Sequence, residues 1–223
     1  MKIIKTTQEL SDFCKKCISF DYVTLDTEFL RERTYYSKLC LIQMAHPGAT
    51  EDSAVLIDPL SQDLSLSPLY DLFKNPDVVK VFHAARQDLE IFFVDKQILP
   101  KPFFDTQVAA MVCGFGEQVG YEKLVRAICN EGLDKSSRFT DWSARPLSSK
   151  QMEYAIGDVT HLRQIYEFLA KKIEKTGRQA WVEEELAILM DPETYVVDPK
   201  QAWRRVKTRS SSWKMLAAVS ELA

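Results

Sequence analysis

The stretch Tyr22-Val-Thr-Leu-Asp26-Thr-Glu28-Phe29 constrains this chain more than any other. It has the length and apolar content of a buried strand, and it ends in two carboxylates. Side chains alternate across a strand, so Asp26 and Glu28 point to one face, separated by roughly 7 Å of rise. Two neighbouring acids repel each other and are costly to bury unless a cation neutralises them. A strand end at which both acids face water accommodates the same residues. The pair alone therefore leaves two readings open, a solvated edge or half of a metal site.

The chain around this strand alternates in a recognisable way. Thr6 followed by Glu9 is a capping-box pattern, after which Leu10, Phe13, Cys14 and Cys17 fall on one helical stripe. Residues 39–45 and 54–58 are two further apolar runs of strand length. Short linkers join them to the first, which predicts an antiparallel meander. A helical segment near 67–75 leads to a fourth strand at 78–82, a helix from about Arg86 to Asp95 follows, and Phe103-Phe104 forms a brief fifth strand. Further helices are expected near 106–114, 120–131, 149–176 and 180–190. The expected fold is therefore an α/β domain whose mixed sheet has about five strands, the first three antiparallel, flanked by helices.

The long helix has the clearest signals. Ser148 with Gln151 forms a capping box, Leu147 with Met152 a hydrophobic staple, and Gly177 a stop. Gly157 lies inside it, where glycine costs about 1 kcal/mol relative to alanine. Either a close approach to the backbone or helix packing accounts for it.

With 223 residues, the chain suits one large domain, or one domain plus a tail. The expected division is a domain over 1–190, then a linker and basic helical tail over 191–223, in which Lys200, Arg204, Arg205, Lys207, Arg209 and Lys214 occur without an acid among them. No apolar run reaches the ~18 residues of a membrane span, and the N-terminal residues lack a signal-peptide pattern, so a cytoplasmic protein is expected. The five cysteines then argue against disulfides. Cys14-Lys-Lys-Cys17 has redox or zinc spacing, but no second Cys/His pair follows, and a structural role on the first helix is expected. A net charge of −3 speaks against a strongly basic nucleic-acid coat protein and leaves open an enzyme that holds phosphates through cations. No heptad or apolar interface patch is visible, and a monomer is expected.

Four acids sit where elements begin or end: Asp26, Glu28, Asp88 within His83-Ala-Ala-Arg-Gln-Asp88, and Asp158 within Tyr154-Ala-Ile-Gly-Asp158. Tyr154 and Asp158, four apart, share one helical face. If that face covers the strand ends, four carboxylates and a phenol converge, a set of hard oxygen ligands suited to two Mg²⁺ or Mn²⁺ ions gripping a phosphate. A tyrosine of ordinary pKa near 10 is a poor general base at neutral pH but can orient a water. His83 has the chemistry of a ligand, but a lone histidine at a strand end is more often a hydrogen-bonding residue.

Asp-x-Glu on strand one, His-Ala-x3-Asp after a later strand and Tyr-x3-Asp on a late helix together resemble the DEDD exonuclease superfamily, in its tyrosine branch. Further stretches resemble the ribonuclease D family: Phe104-Asp-Thr-Gln-Val-Ala-Ala110, Leu133-Asp-Lys-Ser136, Thr140-Asp-Trp-Ser-Ala-Arg-Pro-Leu147 and Gln151-x2-Tyr154-Ala-x2-Asp158-Val. The segment from Asp198 to Val206 resembles the run-in to that family's C-terminal HRDC domains. Ala84 stands where the wider superfamily often has Asn. The chain also stops at Ala223, too soon for a complete HRDC domain, which is expected of a short-form enzyme or of a fragment.

The resemblance implies a ribonuclease H-like, DnaQ-like exonuclease fold and a 3′→5′ exoribonuclease. Asp26, Glu28, Asp88 and Asp158 would bind two divalent ions, and Tyr154 would position the attacking water. RNA with a free 3′ end, tRNA precursors included, would lose 5′-mononucleotides one at a time. Thr27 (through its backbone) and Phe29 (by stacking) would contact the terminal nucleotide, His83 and Gln87 the scissile phosphate or its waters, and Trp142 and Arg145 the substrate path. Arg31, Arg33, Lys38, Arg138 and Arg145 are candidates for a basic strip along the strand. The alternatives are a DNA 3′→5′ exonuclease with the same chemistry and a catalytically silent RNA-binding protein on the same fold.

Overall fold

A strand that the sequence pattern does not announce opens the chain. β1 (Lys2–Ile4) has only three residues and gains its place by pairing in parallel with a strand fifty residues on. The computed structural model describes residues 1–31, 35–133, 140–196, 203, 206–208, 210 and 212–222. After β1 come α1 (Thr7–Cys17), β2 (Tyr22–Leu30), β3 (Lys38–Ala45), β4 (Ala54–Ile57), α2 (Ser67–Lys74), β5 (Val79–Phe82), α3 (Arg86–Lys96), β6 (Phe103–Asp105) and α4 (Thr106–Val112). α5 (Tyr121–Leu124), α6 (Ser149–Thr176), α7 (Gln179–Leu189) and α8 (Trp213–Leu222) are the remaining described α-helices. The sheet is mixed, with order β1-β4-β3-β2-β5-β6, so it has six strands where about five were expected. The expected meander is β2-β3-β4, both of its pairings antiparallel.

Alternation along β2 assigns its two faces. Val23 and Leu25 enter the larger core with Ile42, Met44, Val55 and Ile57, covered by α1, α2 and α3. Tyr22, Thr24, Asp26 and Glu28 take the other face, which α6 covers: Tyr22 and Val81 meet Leu162, Leu41 and Leu56 meet Ala155, and Ala45 and Ala54 meet Val159. Cys14 and Cys17 are buried in the larger core, where burial pushes the Cys14 thiol up to about 12 and Cys17 higher still, as structural cysteines require.

α6 begins as expected. The Gln151 amide N–H donates to Ser148 Oγ at 3.2 Å, and Gln151 Oε1 accepts from the Ser148 amide at 3.0 Å. Such a cap contributes about 1 kcal/mol. Leu147 and Met152 join one cluster, and Gly177 ends the helix in the left-handed conformation (φ 64°). The helix expected over 120–131 is α-helical only in α5, and Val125–Cys129 continues it with a wider π turn. In the segment expected as a linker, Tyr195 is buried beside Phe93 and donates to the Leu189 carbonyl at 2.7 Å. No helix among the described residues is long and apolar enough to cross a membrane.

One expected substrate contact has another task. Arg145 donates from Nε and Nη2 to both oxygens of Asp58 at 2.8 and 2.7 Å, from Nη2 also to the Cys40 carbonyl, and from Nη1 to the Trp142 and Ala144 carbonyls. All five guanidinium N–H groups are thereby used within the protein, which leaves none for a phosphate. The expectation that Arg145 lines the substrate path gives way to a clamp that ties the loop before α6 to β3 and β4. Burial pushes the Asp58 carboxyl up, and the guanidinium outweighs it, holding Asp58 below the usual carboxylate range.

Arg145→Ala strands a buried carboxylate and is expected to cost about 3 kcal/mol in denaturant unfolding at pH 7. A depressed carboxyl stabilises the fold above its unfolded pKa of about 4 and loses that contribution as pH falls through the folded value. The gap between wild type and variant should therefore narrow below about pH 4. Equal stability of the two proteins at pH 7 contradicts the clamp.

Candidate active site

Asp26, Glu28 and Asp158 come together between β2 and α6, with one carboxylate oxygen of each lying within 4.8 Å of the others. Strand alternation supplies the first two, and the seat of α6 on the sheet supplies the third. Asp26 is only partly exposed. Burial, and then the Asp158 carboxylate, raise its pKa well above the usual carboxylate range. Three hard oxygen donors this close, held in mutual repulsion, are the donor set a divalent cation relieves, so the residues present fit one.

Asp88 arrives from the other side of the sheet. It lies in the first turn of α3, buried, and its carboxylate accepts a hydrogen bond from the Thr27 hydroxyl. Burial, and then Asp26, raise its pKa well above the ordinary range. The three-acid group does not include it, although the charge of Asp26 is felt at Asp88.

The turn that carries Asp88 is held by a residue whose role the motif spacing does not reveal. Buried Asp105, at the end of β6, accepts from the amides of Ala84 (3.0 Å), Ala85 (2.8 Å) and Gln107 (2.7 Å). Ala84 is left-handed (φ 54°), a conformation that Asn tolerates better than Ala, in keeping with the Asn of the wider superfamily at this position.

Asp26, His83, Ala84, Gln107, Tyr121, Tyr154 and Asp158 all border one cavity of about 460 Å³. A smaller cavity of about 180 Å³ adjoins it, sharing Leu133 and Tyr154, and Gly157 faces that space. A Cβ at Gly157 would meet nothing nearer than the His161 ring at 3.7 Å, so the protein's own packing does not demand glycine there.

His83 Nδ1 lies 3.0 Å from Thr106 Oγ1, and burial holds the imidazole below its ordinary pKa, in the neutral form. The His83 ring packs 5.3 Å from that of Tyr121, whose hydroxyl donates to the Asp158 carbonyl. Nothing in the sequence pattern singles out Tyr121; only the fold brings it to the site. Trp142 is buried behind Tyr154, ring centroids 6.0 Å apart, which makes it packing behind the site and not an exposed platform. Gln87 is exposed on the first turn of α3 and is not among the described residues that border the cavity. Phe29 is half-buried just past an irregularity in the β2–β3 ladder. Of the candidate basic strip, Arg31 pairs with Glu90 at 2.9 Å, Arg145 is spent on Asp58, and Lys38 is exposed. Arg33, Arg138 and most of the C-terminal basic stretch lie outside the described residues.

Known proteins resemble this chain in sequence and in fold. The chain is 61% identical over 220 residues to Ribonuclease D of Jannaschia sp. (strain CCS1), covering 99% of this chain and 57% of that one. It is 49% identical over 223 residues to Ribonuclease D of Nitrobacter hamburgensis, covering 100% of this chain and 57% of that one. It thus spans little more than half the length of these curated relatives. The crystal structure of Escherichia coli RNase D, described as an exoribonuclease involved in structured RNA processing, superposes with a TM-score of 0.83 at 37% identity, over 92% of this chain and 53% of that one. The family model for a 3′-5′ exonuclease matches residues 1–174, which include every acid of the site, and the chain belongs to that family.

Proposed function

We propose that this protein is a metal-dependent 3′→5′ exoribonuclease that removes 5′-mononucleotides from RNA 3′ ends, tRNA precursors and other small structured RNAs among them. The gathering of Asp26, Glu28 and Asp158 within 4.8 Å, on the cavity that Tyr154 borders, carries this reading. These three acids, with Asp88 behind Asp26, would hold two Mg²⁺ or Mn²⁺ ions, which supply charge to offset the phosphate oxygens and to acidify the attacking water.

The chain's own side chains do the positioning. Tyr154, next to the acids on the same cavity, orients the water for in-line attack on the last phosphodiester. A phenol is a poor proton acceptor at neutral pH, which suits orienting the water and not deprotonating it. Neutral His83, fixed by Thr106, borders the phosphate side of the cavity without adding a charge. The Thr27 hydroxyl is committed to Asp88, so Thr27 meets the terminal nucleotide through its backbone alone, with Phe29 stacking on the base. The water oxygen bonds to phosphorus as the P–O3′ bond breaks; the water gives up one proton to solvent and the leaving 3′ oxygen takes one up. We place the protein in the cytoplasm as a monomer.

Asp26→Asn is expected to reduce Mn²⁺-dependent nucleotide release at least ~100-fold and at the same time to stabilise the metal-free protein at pH 7.5. The sign follows from the raised pKa: ionised Asp26 is a penalty above its folded value and none below about pH 4. The stability advantage of the variant should therefore vanish on acidification, and undiminished nucleotide release would refute the role of Asp26. On matched single strands, RNA should be degraded faster than DNA; equal or faster DNA turnover sinks the RNA assignment, since only contacts to the 2′-OH separate the two.

A further inference from the structure

Gln43 is fully buried in β3, and neither its amide nitrogen nor its amide oxygen has a hydrogen-bond partner. Among the described residues it is the only buried side chain with two such unpaired atoms. A buried amide left this way is costly, and a methionine of similar size would fit the same space at less expense. Its place in the sheet shows what it can serve.

Gln43 lies directly opposite Asp26 in the β2–β3 ladder, where side chains on one face stand about 5 Å apart at Cβ. Its neighbours along β3 on that face are Leu41, which packs with Ala155, and Ala45, which packs with Val159. Gln43 is thus bracketed beneath the helical turn from 155 to 159, which carries Asp158. The Thr24 hydroxyl, one step along β2 on the same face, pins this turn by donating to the Val159 carbonyl at 2.8 Å. The amide forms part of the floor between a sheet acid and a helix acid.

We propose that Gln43 is a positioning residue for the exoribonuclease reaction proposed above. Its amide N–H groups orient the Asp26 carboxylate toward the gap it shares with Asp158, so that the two acids can hold a cation together. The chemistry of the side chain suits that task. An amide donates to a carboxylate without bringing a charge, whereas lysine would compete with the cation and glutamate would add to the repulsion. Burial beneath α6 keeps bulk water from competing for Asp26 on that side. No hydrogen bond joins the two side chains in the structure, so both N–H groups remain available to the carboxylate as it turns.

The test compares wild type with Gln43→Met in the full chain by three measurements: thermal unfolding without metal, Mn²⁺ affinity by calorimetry without RNA, and kcat and KM on an RNA oligomer with saturating Mn²⁺. The expected result is an unchanged or higher Tm, Mn²⁺ affinity weakened about ten-fold, and kcat lowered ten-fold or more at an unchanged KM, the effect of losing a group that orients a metal ligand. Mn²⁺ binding and kcat equal to wild type would overturn the proposal. So would a Tm lowered by more than about 5 °C, which would mean that the amide is paired into the fold and serves packing. A wild-type protein that binds Mn²⁺ and releases no nucleotide would instead overturn the exoribonuclease reading itself.

Discussion

Helix α6 lies across β2, β3 and β4 with Ala155 and Val159 against the sheet, and that seat decides where Asp158 can go. Alanine at 155 lets the helix approach closely, and the capping box at Ser148 fixes where the helix starts and hence which residues face inward. The Thr24 hydroxyl then locks the turn at Val159 to the strand that carries Asp26. A sideways or rotational slip of α6 by one residue would turn Asp158 away and leave Asp26 and Glu28 as the solvated strand end that their sequence equally permits.

The same seat creates the tension on which the chemistry depends. Bringing three carboxylates within 4.8 Å, with a fourth behind them, raises the pKa values of Asp26 and Asp88 through burial and mutual repulsion. Stability is given up where function needs charge. The surroundings absorb it through fixed partners: the Thr27 hydroxyl on Asp88, the Tyr121 hydroxyl on the backbone of Asp158, and Asp105, which accepts from the Ala84 and Ala85 amides to hold a left-handed Ala84 and the start of α3. The protein's net charge of −3 is compatible with a nucleic-acid substrate because the local acidity is of the kind that cations cancel.

Much of this was legible beforehand because it rests on local rules. The alternation of β2, the capping box and the Gly177 stop of α6, and the Tyr154–Asp158 spacing each depend on residues only a few positions apart, and the motifs they form resemble one enzyme family. What depended on distant partners was not. β1 is too short to show a pattern and exists only because β4 accepts it. Arg145 was expected on the substrate path because sequence does not reveal that Asp58, eighty-seven residues away, takes its guanidinium. Tyr121 and Gln43 belong to none of the quoted motifs, Asp105 lies in one that does not reveal its role, and only sheet register and helix seating bring them to the acids.

Crystals grown or soaked in Mn²⁺, with anomalous diffraction recorded at the manganese edge, test the central claim most directly. The account predicts a strong anomalous peak bridging Asp26, Glu28 and Asp158 in the gap between β2 and α6. Manganese bound elsewhere on the protein, with that gap empty at millimolar Mn²⁺, would contradict it.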